Sequence, residues 1–103
     1  MQTPDEIIHQ PVRLKIMAAL NTLEPGQKLE FVALRSIVQA TDGNLGAHLL
    51  TLETAGYVVM KKDFVGKKPR TRVSLSSTGR VAFARYVSTL QAILAPAAPE
   101  PDS

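Results

Sequence analysis

Apolar residues recur at helical spacing in the first quarter of this 103-residue chain. Pro11 suits the first position of a helix, where its missing N–H leaves no hydrogen bond unmade. One face of the predicted helix carries Val12, Ile16, Ala19, Leu20 and Leu23. Leu14 and Met17 lie on a second face, so the helix is expected to have two neighbours, and another subunit is a candidate for one of them.

Two further helical patterns follow, separated by a short turn. After an extended segment at 28–30, a brief helix is predicted from Phe31, Leu34, Ile37 and Val38. The hydroxyl of Thr41 can cap the next helix, Asp42 suits the positive end of its dipole, and Gly56 ends it. The inward stripe of this third helix is Leu45, Leu49 and Leu52.

A β-hairpin and a last helix complete the pattern. Residues 57–63 are rich in strand formers and residues 70–75 alternate, which predicts two strands joined by a loop of about six residues at 64–69. Ser76 can cap the final helix. Its apolar stripe is Phe83, Tyr86, Val87, Leu90 and Leu94. Residues 95–103 contain three prolines and no large apolar side chain, so this tail is expected to be disordered.

This order of elements predicts one α+β, mainly α, domain over residues 1–94. A short helix, a tight turn and a capped helix form the helix-turn-helix arrangement, whose second helix enters the major groove of DNA. The hairpin that follows would then be a basic wing able to reach phosphates.

Charge is distributed unevenly, although the net charge is only +3. Residues 1–56 carry four basic and six acidic side chains, whereas residues 57–85 carry eight basic and one acidic. Such a field suits a polyanionic partner, and a solvated basic surface is the alternative. The chain has no cysteine, no signal-peptide pattern and no apolar run of the ~20 residues that cross a bilayer. We therefore expect a cytoplasmic protein without membrane contact.

Four segments resemble one group of regulators. The stretch Thr41–Val58, with its His48-Leu49 pair, looks like the recognition helix of MarR/ArsR-type winged-helix proteins. The motif Leu75-Ser76-x-x-Gly79-Arg80 is similar to the junction after the wing in MarR-like proteins. Segments 8–13 and 64–71 resemble stand-alone winged-helix transcriptional regulators, so the resemblance covers residues 7–94.

The resemblance implies a winged helix-turn-helix domain with a three-stranded wing sheet and flanking N- and C-terminal dimerisation helices. It also implies a sequence-specific regulator that binds double-stranded DNA as a homodimer, with repression as the default. The helices expected to pair across the two-fold axis carry Leu14, Met17, Phe83, Tyr86, Val87, Leu90 and Leu94. Packing of the last stripe within its own domain is the alternative.

The third helix is the element expected to enter the major groove. Asn44 can form two hydrogen bonds with adenine, and methyl groups of Ala47 and Thr51 can contact thymine. The candidate contacts are Thr41, Asp42, Gly43, Asn44, Ala47, His48 and Thr51. Two alternatives stay open: Asn44 as a first-turn cap, and His48 as a half-buried neighbour of the core.

The wing is expected to supply most of the affinity, because the outer face of the third helix has no Arg or Lys. Contacts to phosphates position a protein more than they specify sequence. The candidate wing contacts are Lys61, Lys62, Lys67, Lys68, Arg70 and Arg72.

No constellation of residues indicates an enzyme, a metal site or a cofactor. His9 and His48 have no carboxylate at ligand or triad spacing, and no glycine belongs to a phosphate-binding loop. The rival function is a winged helix that binds an acidic protein partner through its basic hairpin. RNA is less favoured, because interleaved exposed aromatic residues are missing. The sequence identifies no small-molecule effector.

Overall fold

The computed structural model describes residues 3–95, and the predicted order of elements is confirmed. The helices are α1 (Pro11–Asn21), α2 (Phe31–Val38), α3 (Asp42–Thr54) and α4 (Ser77–Leu94). The strands are β1 (Leu29–Glu30), β2 (Val58–Val65) and β3 (Lys68–Leu75), in one antiparallel sheet of order β1-β3-β2. Except for Ala95, the predicted disordered tail lies outside the described residues.

Side-chain caps start α3 and α4 where the sequence predicts them. The Thr41 hydroxyl accepts a 3.2 Å hydrogen bond from the backbone N–H of Asn44. The Ser76 hydroxyl accepts one of 2.9 Å from Gly79. Gly56 follows α3 at a φ of 82°, a left-handed conformation that costs glycine little. These local signals define both ends of α3 and the start of α4.

The hairpin is tighter than predicted. Strands β2 and β3 stay paired out to Val65 and Lys68. Only Gly66 and Lys67 remain for the turn, so the prediction of a loop of about six residues is wrong. Gly66, at a φ of 62°, supplies the left-handed residue that a two-residue turn requires. Pro69 is accommodated because β1 pairs only with the other end of β3, which leaves this stretch a free edge.

The core contains residues from the segment before α1, the helices and the sheet. The largest fully buried side chains among the described residues are Ile8, Ile16, Met17, Leu20, Leu34, Leu45, Leu49, Leu52 and Val73. The three α3 leucines are thus buried as predicted. Met17 is not on a free face of α1, because α2, α3, α4 and β3 of the same chain surround that helix. Phe83 and Tyr86 of α4 are also buried, with exposures of 8% and 2%.

The start of α4 lies against the residues that follow α3. A Cβ on Gly79 would be 2.0 Å from the carbonyl oxygen of Tyr57, so only glycine fits there. The backbone N–H of Ser76 donates to the same carbonyl at 3.0 Å, and the Ser76 hydroxyl donates to the carbonyl of Gly56. The end of α3 and the start of α4 are therefore directly bonded.

Side chains also attach the segment before α1 to the rest of the fold. The Tyr57 hydroxyl donates a 2.6 Å hydrogen bond to Asp5 Oδ2, and His9 Nδ1 lies 2.9 Å from the Tyr86 hydroxyl. The hydrogen bond to Asp5 is the main reason that the pKa of Tyr57 is raised to about 12, and burial and the Asp5 charge act in the same direction.

Candidate nucleic-acid interface

One face of α3 is turned to solvent because its three leucines occupy the other. The predicted contacts that are exposed are Thr41, Asp42, Gly43, Asn44 and Ala47. His48 and Thr51 are half-buried at the edges of this face, and Leu50 adds an apolar side chain that is 59% exposed. The structure therefore brings the predicted α3 contacts together on one accessible surface, which we call the α3 outer face.

The polar groups of the α3 outer face differ in whether they already form hydrogen bonds within the protein. The Thr41 hydroxyl caps the helix through the backbone of Asn44, so Thr41 rather than Asn44 supplies the capping group. The side-chain amide of Asn44 makes no hydrogen bond within the described residues. The Thr51 hydroxyl donates to the carbonyl of Ala47 at 3.2 Å. Asn44 is thus the polar side chain of this face that is free to contact a base.

Arg35 supplies a cation that the sequence analysis missed. It lies in the last turn of α2, and its guanidinium forms an ion pair with Asp42 at the start of α3. Arg35 remains 40% exposed and Asp42 69% exposed, so the pair is solvated and contributes little to stability. In the sequence, Arg35 and Asp42 are seven residues apart on either side of the turn. That spacing alone does not predict a contact, because the geometry of the turn decides whether the two side chains meet.

Arg13 of α1 contacts the α3 outer face at His48. Its Nη1 lies 3.1 Å from His48 Nδ1, and its Nε donates to the carbonyl of Ile7. Burial, followed by the charge of Arg13, lowers the pKa of His48. The half-buried position that was one alternative for His48 is therefore correct, yet the residue also lies at the edge of the predicted interface.

The two wing arginines are held by a carboxylate. Asp63 on β2 lies opposite Arg70 on β3, which donates to both carboxylate oxygens at 2.9 and 2.8 Å. Arg72 donates to the same carboxylate at 2.9 Å. The hydrogen bonds from Arg70 are the main reason that the pKa of Asp63 is lowered to about 2, assisted by the charges of both arginines. Asp63 also raises the pKa of Arg70.

The lysines of the wing are the cations without such a partner. Lys61, Lys62, Lys67 and Lys68 are all exposed and make no ion pair within residues 3–95. Lys67 lies in the turn itself, and Lys68 is paired with Val65 beside it. Of the six predicted wing contacts, these four therefore carry charge that is available to an external anion.

The predicted dimer residues divide into a buried and an accessible group. Met17, Phe83 and Tyr86 belong to the core of the protomer, where a partner could not reach them. Leu14, Val87 and Leu90 are half-buried, and Leu94 is 74% exposed. Val81 and Ile93 of α4, which the sequence analysis did not include, are 57% and 47% exposed. The accessible apolar surface of α4 therefore keeps Val87, Leu90 and Leu94 of the predicted set and adds Val81 and Ile93.

Two structural features are absent from the described residues. No helix among them is long and apolar enough to span a bilayer. Within residues 3–95, no three His, Cys, Asp or Glu side chains are grouped as a metal site would require.

Comparison with known proteins gives consistent matches. A family model described as a winged helix DNA-binding domain matches residues 12–94. An uncharacterized protein of Methanocaldococcus jannaschii is 39% identical over 82 residues, which span 80% of this chain and 86% of that protein. A solved structure of a transcriptional regulator homologue from Pyrococcus horikoshii superposes with a TM-score of 0.76 at 33% identity, covering 87% of this chain and 86% of that one.

More distant solved structures share the fold. A MarR-family transcriptional regulator from Silicibacter pomeroyi superposes with a TM-score of 0.61 at 16% identity, over 91% of this chain and 63% of that one. Bacillus subtilis PadR, solved in complex with operator DNA, superposes with a TM-score of 0.57 at 17% identity, over 87% and 53%. The resemblance to MarR-type winged-helix regulators noted in the sequence is confirmed at the level of the fold.

Proposed function

Because this chain belongs to the winged helix DNA-binding domain family, we propose that it binds double-stranded DNA sequence-specifically and regulates transcription. The observation that carries the proposal is the position of the exposed α3 outer face after a helix-turn-helix, followed directly by a wing with four unpaired lysines. α3 enters the major groove, and the wing lies along the neighbouring phosphates. The family and fold are those of transcriptional regulators, and we propose no enzymatic activity.

The two surfaces contribute different parts of the binding free energy. Lys61, Lys62, Lys67 and Lys68 neutralise phosphates and release counterions, which gives affinity to any duplex. Asn44 and Ala47 lie where they can contact base edges, Asn44 with adenine and Ala47 with a thymine methyl group. Thr41, Asp42, Gly43 and Thr51 complete the surface around them, since a short side chain or none lets the helix approach the bases closely.

We further propose that the protein acts as a homodimer through α4. Ile93 and Leu94 leave apolar area exposed near the end of that helix, and Val87 and Leu90 are half-buried beside them. Two-fold pairing would place two copies of α3 on half-sites about 10 bp apart. Repression is the regulatory direction we propose, because it is the default that the resemblance to MarR-type regulators implies. A regulator of this kind acts on the chromosome, in the cytoplasm.

Selection of bound sequences from a random duplex pool tests the DNA-binding proposal. We expect an enriched palindromic site, which would establish specificity and two-fold symmetry together. If no duplex is retained even at low salt, the proposal is wrong. Binding of an acidic protein partner through the same lysines would then be the favoured function, because their charge would still need an anion.

Analytical ultracentrifugation tests the dimer independently of DNA. Leu94→Asp should convert the dimer to a monomer at micromolar concentration, since it places a charge in the proposed interface. Val32→Asp is the matched control, because Val32 is 60% exposed on α2, away from α4. A wild-type protein that sediments as a monomer would contradict the dimer, although not DNA binding by one domain.

A further inference from the structure

Arg13 holds the imidazole of His48 from the neighbouring helix. Its guanidinium is fixed on two sides, since Nε donates to the carbonyl of Ile7 while Nη1 lies 3.1 Å from His48 Nδ1. The backbone of Arg13 is fixed as well, because its N–H donates to Gln10 Oε1 at 2.9 Å. The orientation of His48 is therefore determined by a partner that is itself well anchored.

The chemistry of this contact determines which ring nitrogen carries the proton. An arginine guanidinium has five N–H donors and no acceptor, and it stays charged at any physiological pH. Nδ1 of His48 must therefore accept, and a neutral ring that accepts at Nδ1 has its proton on Nε2. A doubly protonated ring would direct an N–H at the guanidinium, and the lowered pKa of His48 agrees with that unfavourable arrangement.

We infer that Arg13 sets His48 as the neutral Nε2–H tautomer, so that α3 presents a hydrogen-bond donor to an acceptor atom of the bound duplex. This inference rests on the proposed function and specifies that, in this contact, the protein donates the hydrogen bond and the DNA accepts it. His48 lies one helical turn after Asn44 and at the edge of the α3 outer face, and Nε2 makes no hydrogen bond within the described residues. The acceptors available to it are purine N7, guanine O6, thymine O4 and phosphate oxygens.

The consequence is a role for Arg13 that does not involve touching DNA. Without the Arg13 guanidinium, Nε2 of His48 could be either protonated or unprotonated. It would then act as a donor in one tautomer and as an acceptor in the other. Arg13 is in this sense a positioning residue for the interface. His48 is the residue that makes the contact.

The tautomer can be measured in the free protein by long-range ¹H–¹⁵N correlation of the histidine rings. We expect unprotonated Nδ1 and protonated Nε2 for His48 in the wild type. In Arg13→Met, which keeps a long side chain without donors, the ring should populate both tautomers. His9 is the internal control, because its Nδ1 contacts the Tyr86 hydroxyl and not Arg13. A wild-type His48 that carries its proton on Nδ1 would overturn the inference whether or not Arg13→Met folds.

Binding to the selected duplex tests the donor itself. His48→Gln can place an amide N–H near the position of Nε2, His48→Ala removes the group, and His48→Glu offers only an acceptor. A hydrogen bond of ordinary net strength predicts binding about 3- to 10-fold weaker for His48→Ala, with His48→Glu weaker still and His48→Gln close to wild type. Equal affinities for His48→Ala and the wild type would overturn this inference but not the proposed function.

Modified duplexes locate the acceptor. If 7-deazapurine, or a base analogue that lacks guanine O6 or thymine O4, at one position removes the difference between wild type and His48→Ala, the donor contacts a base edge. If a methylphosphonate linkage removes it instead, the donor contacts a phosphate. Either result supports the inference, whereas a difference that survives at every modified position overturns it. A wild-type protein that binds no duplex would overturn the proposed function and this contact together.

Discussion

The carboxylate of Asp63 accepts two parallel hydrogen bonds from the guanidinium of Arg70, at 2.9 and 2.8 Å. Arg72 adds a third at 2.9 Å, so one acid engages two of the six cations of the wing. The charge that the wing offers to DNA is therefore smaller than its composition indicates. The amount of positive charge that the wing can offer therefore depends on Asp63, which is itself an acid.

Replacing Asp63 should strengthen binding to DNA of any sequence. Asp63→Asn removes the charge that Arg70 and Arg72 now neutralise, so both become available to phosphates. Each new phosphate contact should steepen the slope of log affinity against log salt by about 0.9. Fluorescence anisotropy over a salt series measures this slope. Glu24→Gln is the control, because it removes the same charge from an exposed residue outside the wing. Equal slopes for the two variants would contradict the prediction.

Removing two of the free lysines should have the opposite effect. Lys67→Ala/Lys68→Ala is expected to weaken binding to specific and random duplexes alike, and to reduce the salt slope by up to about 1.8. Phosphate contacts carry little sequence information, so the ratio of specific to random affinity should change much less. The double variant Lys15→Ala/Lys28→Ala loses the same charge outside the wing and serves as control. A salt slope equal to that of this control would remove the wing from the interface.

The tyrosine that binds Asp5 should make stability depend on alkaline pH. The pKa of Tyr57 is raised from 10.0 to about 12 in the folded protein, so folding favours the protonated phenol. The stabilisation is complete below about pH 10 and is lost as the pH rises from about 10 to 12. Denaturant unfolding across this range should show a smaller loss for Tyr57→Phe than for the wild type. Parallel curves for the two proteins would contradict the prediction.

Gly79 should tolerate no side chain. Gly79→Ala places a Cβ 2.0 Å from the carbonyl oxygen of Tyr57, and the backbone must move to relieve the overlap. We expect a loss of about 1–3 kcal/mol in the free energy of unfolding, as for other overpacked sites. Gly46→Ala is the matched control, because nothing lies within 4 Å of a Cβ there. That change in mid-helix should stabilise the protein by up to about 1 kcal/mol. Equal effects from the two substitutions would contradict the argument.

The features that could be predicted from the sequence are those determined by neighbours along the chain. Thr41 and Ser76 cap the helices that follow them, and Gly56 ends α3, because a cap involves only three or four consecutive residues. The leucine stripe of α3 is equally local, since helical spacing alone puts these residues on one side. The candidate α3 contacts are the residues that remain on the solvent side once these leucines face the core.

The features that could not be predicted depend on register and packing. The sequence places Asp63 and Arg70 at the two ends of the predicted loop, but only pairing out to Val65 and Lys68 fixes the register in which their side chains meet. The contact between Arg13 and His48 joins residues 35 positions apart on two helices whose packing no periodicity specifies. Met17 was expected on a free face, since a helix with two apolar sides does not show which neighbours come from its own chain.

The junction between α3 and α4 affects how the proposed dimer could be regulated. Ser76 is bonded to the carbonyls of Gly56 and Tyr57, and Gly79 packs on the same backbone, so the start of α4 is fixed to the residues that directly follow α3. In a dimer paired through α4, the crossing angle of the two α4 helices would then set the distance between the two α3 helices. A compound that changes this angle would alter the half-site spacing that the protein accepts, while every DNA-facing side chain stays as it is.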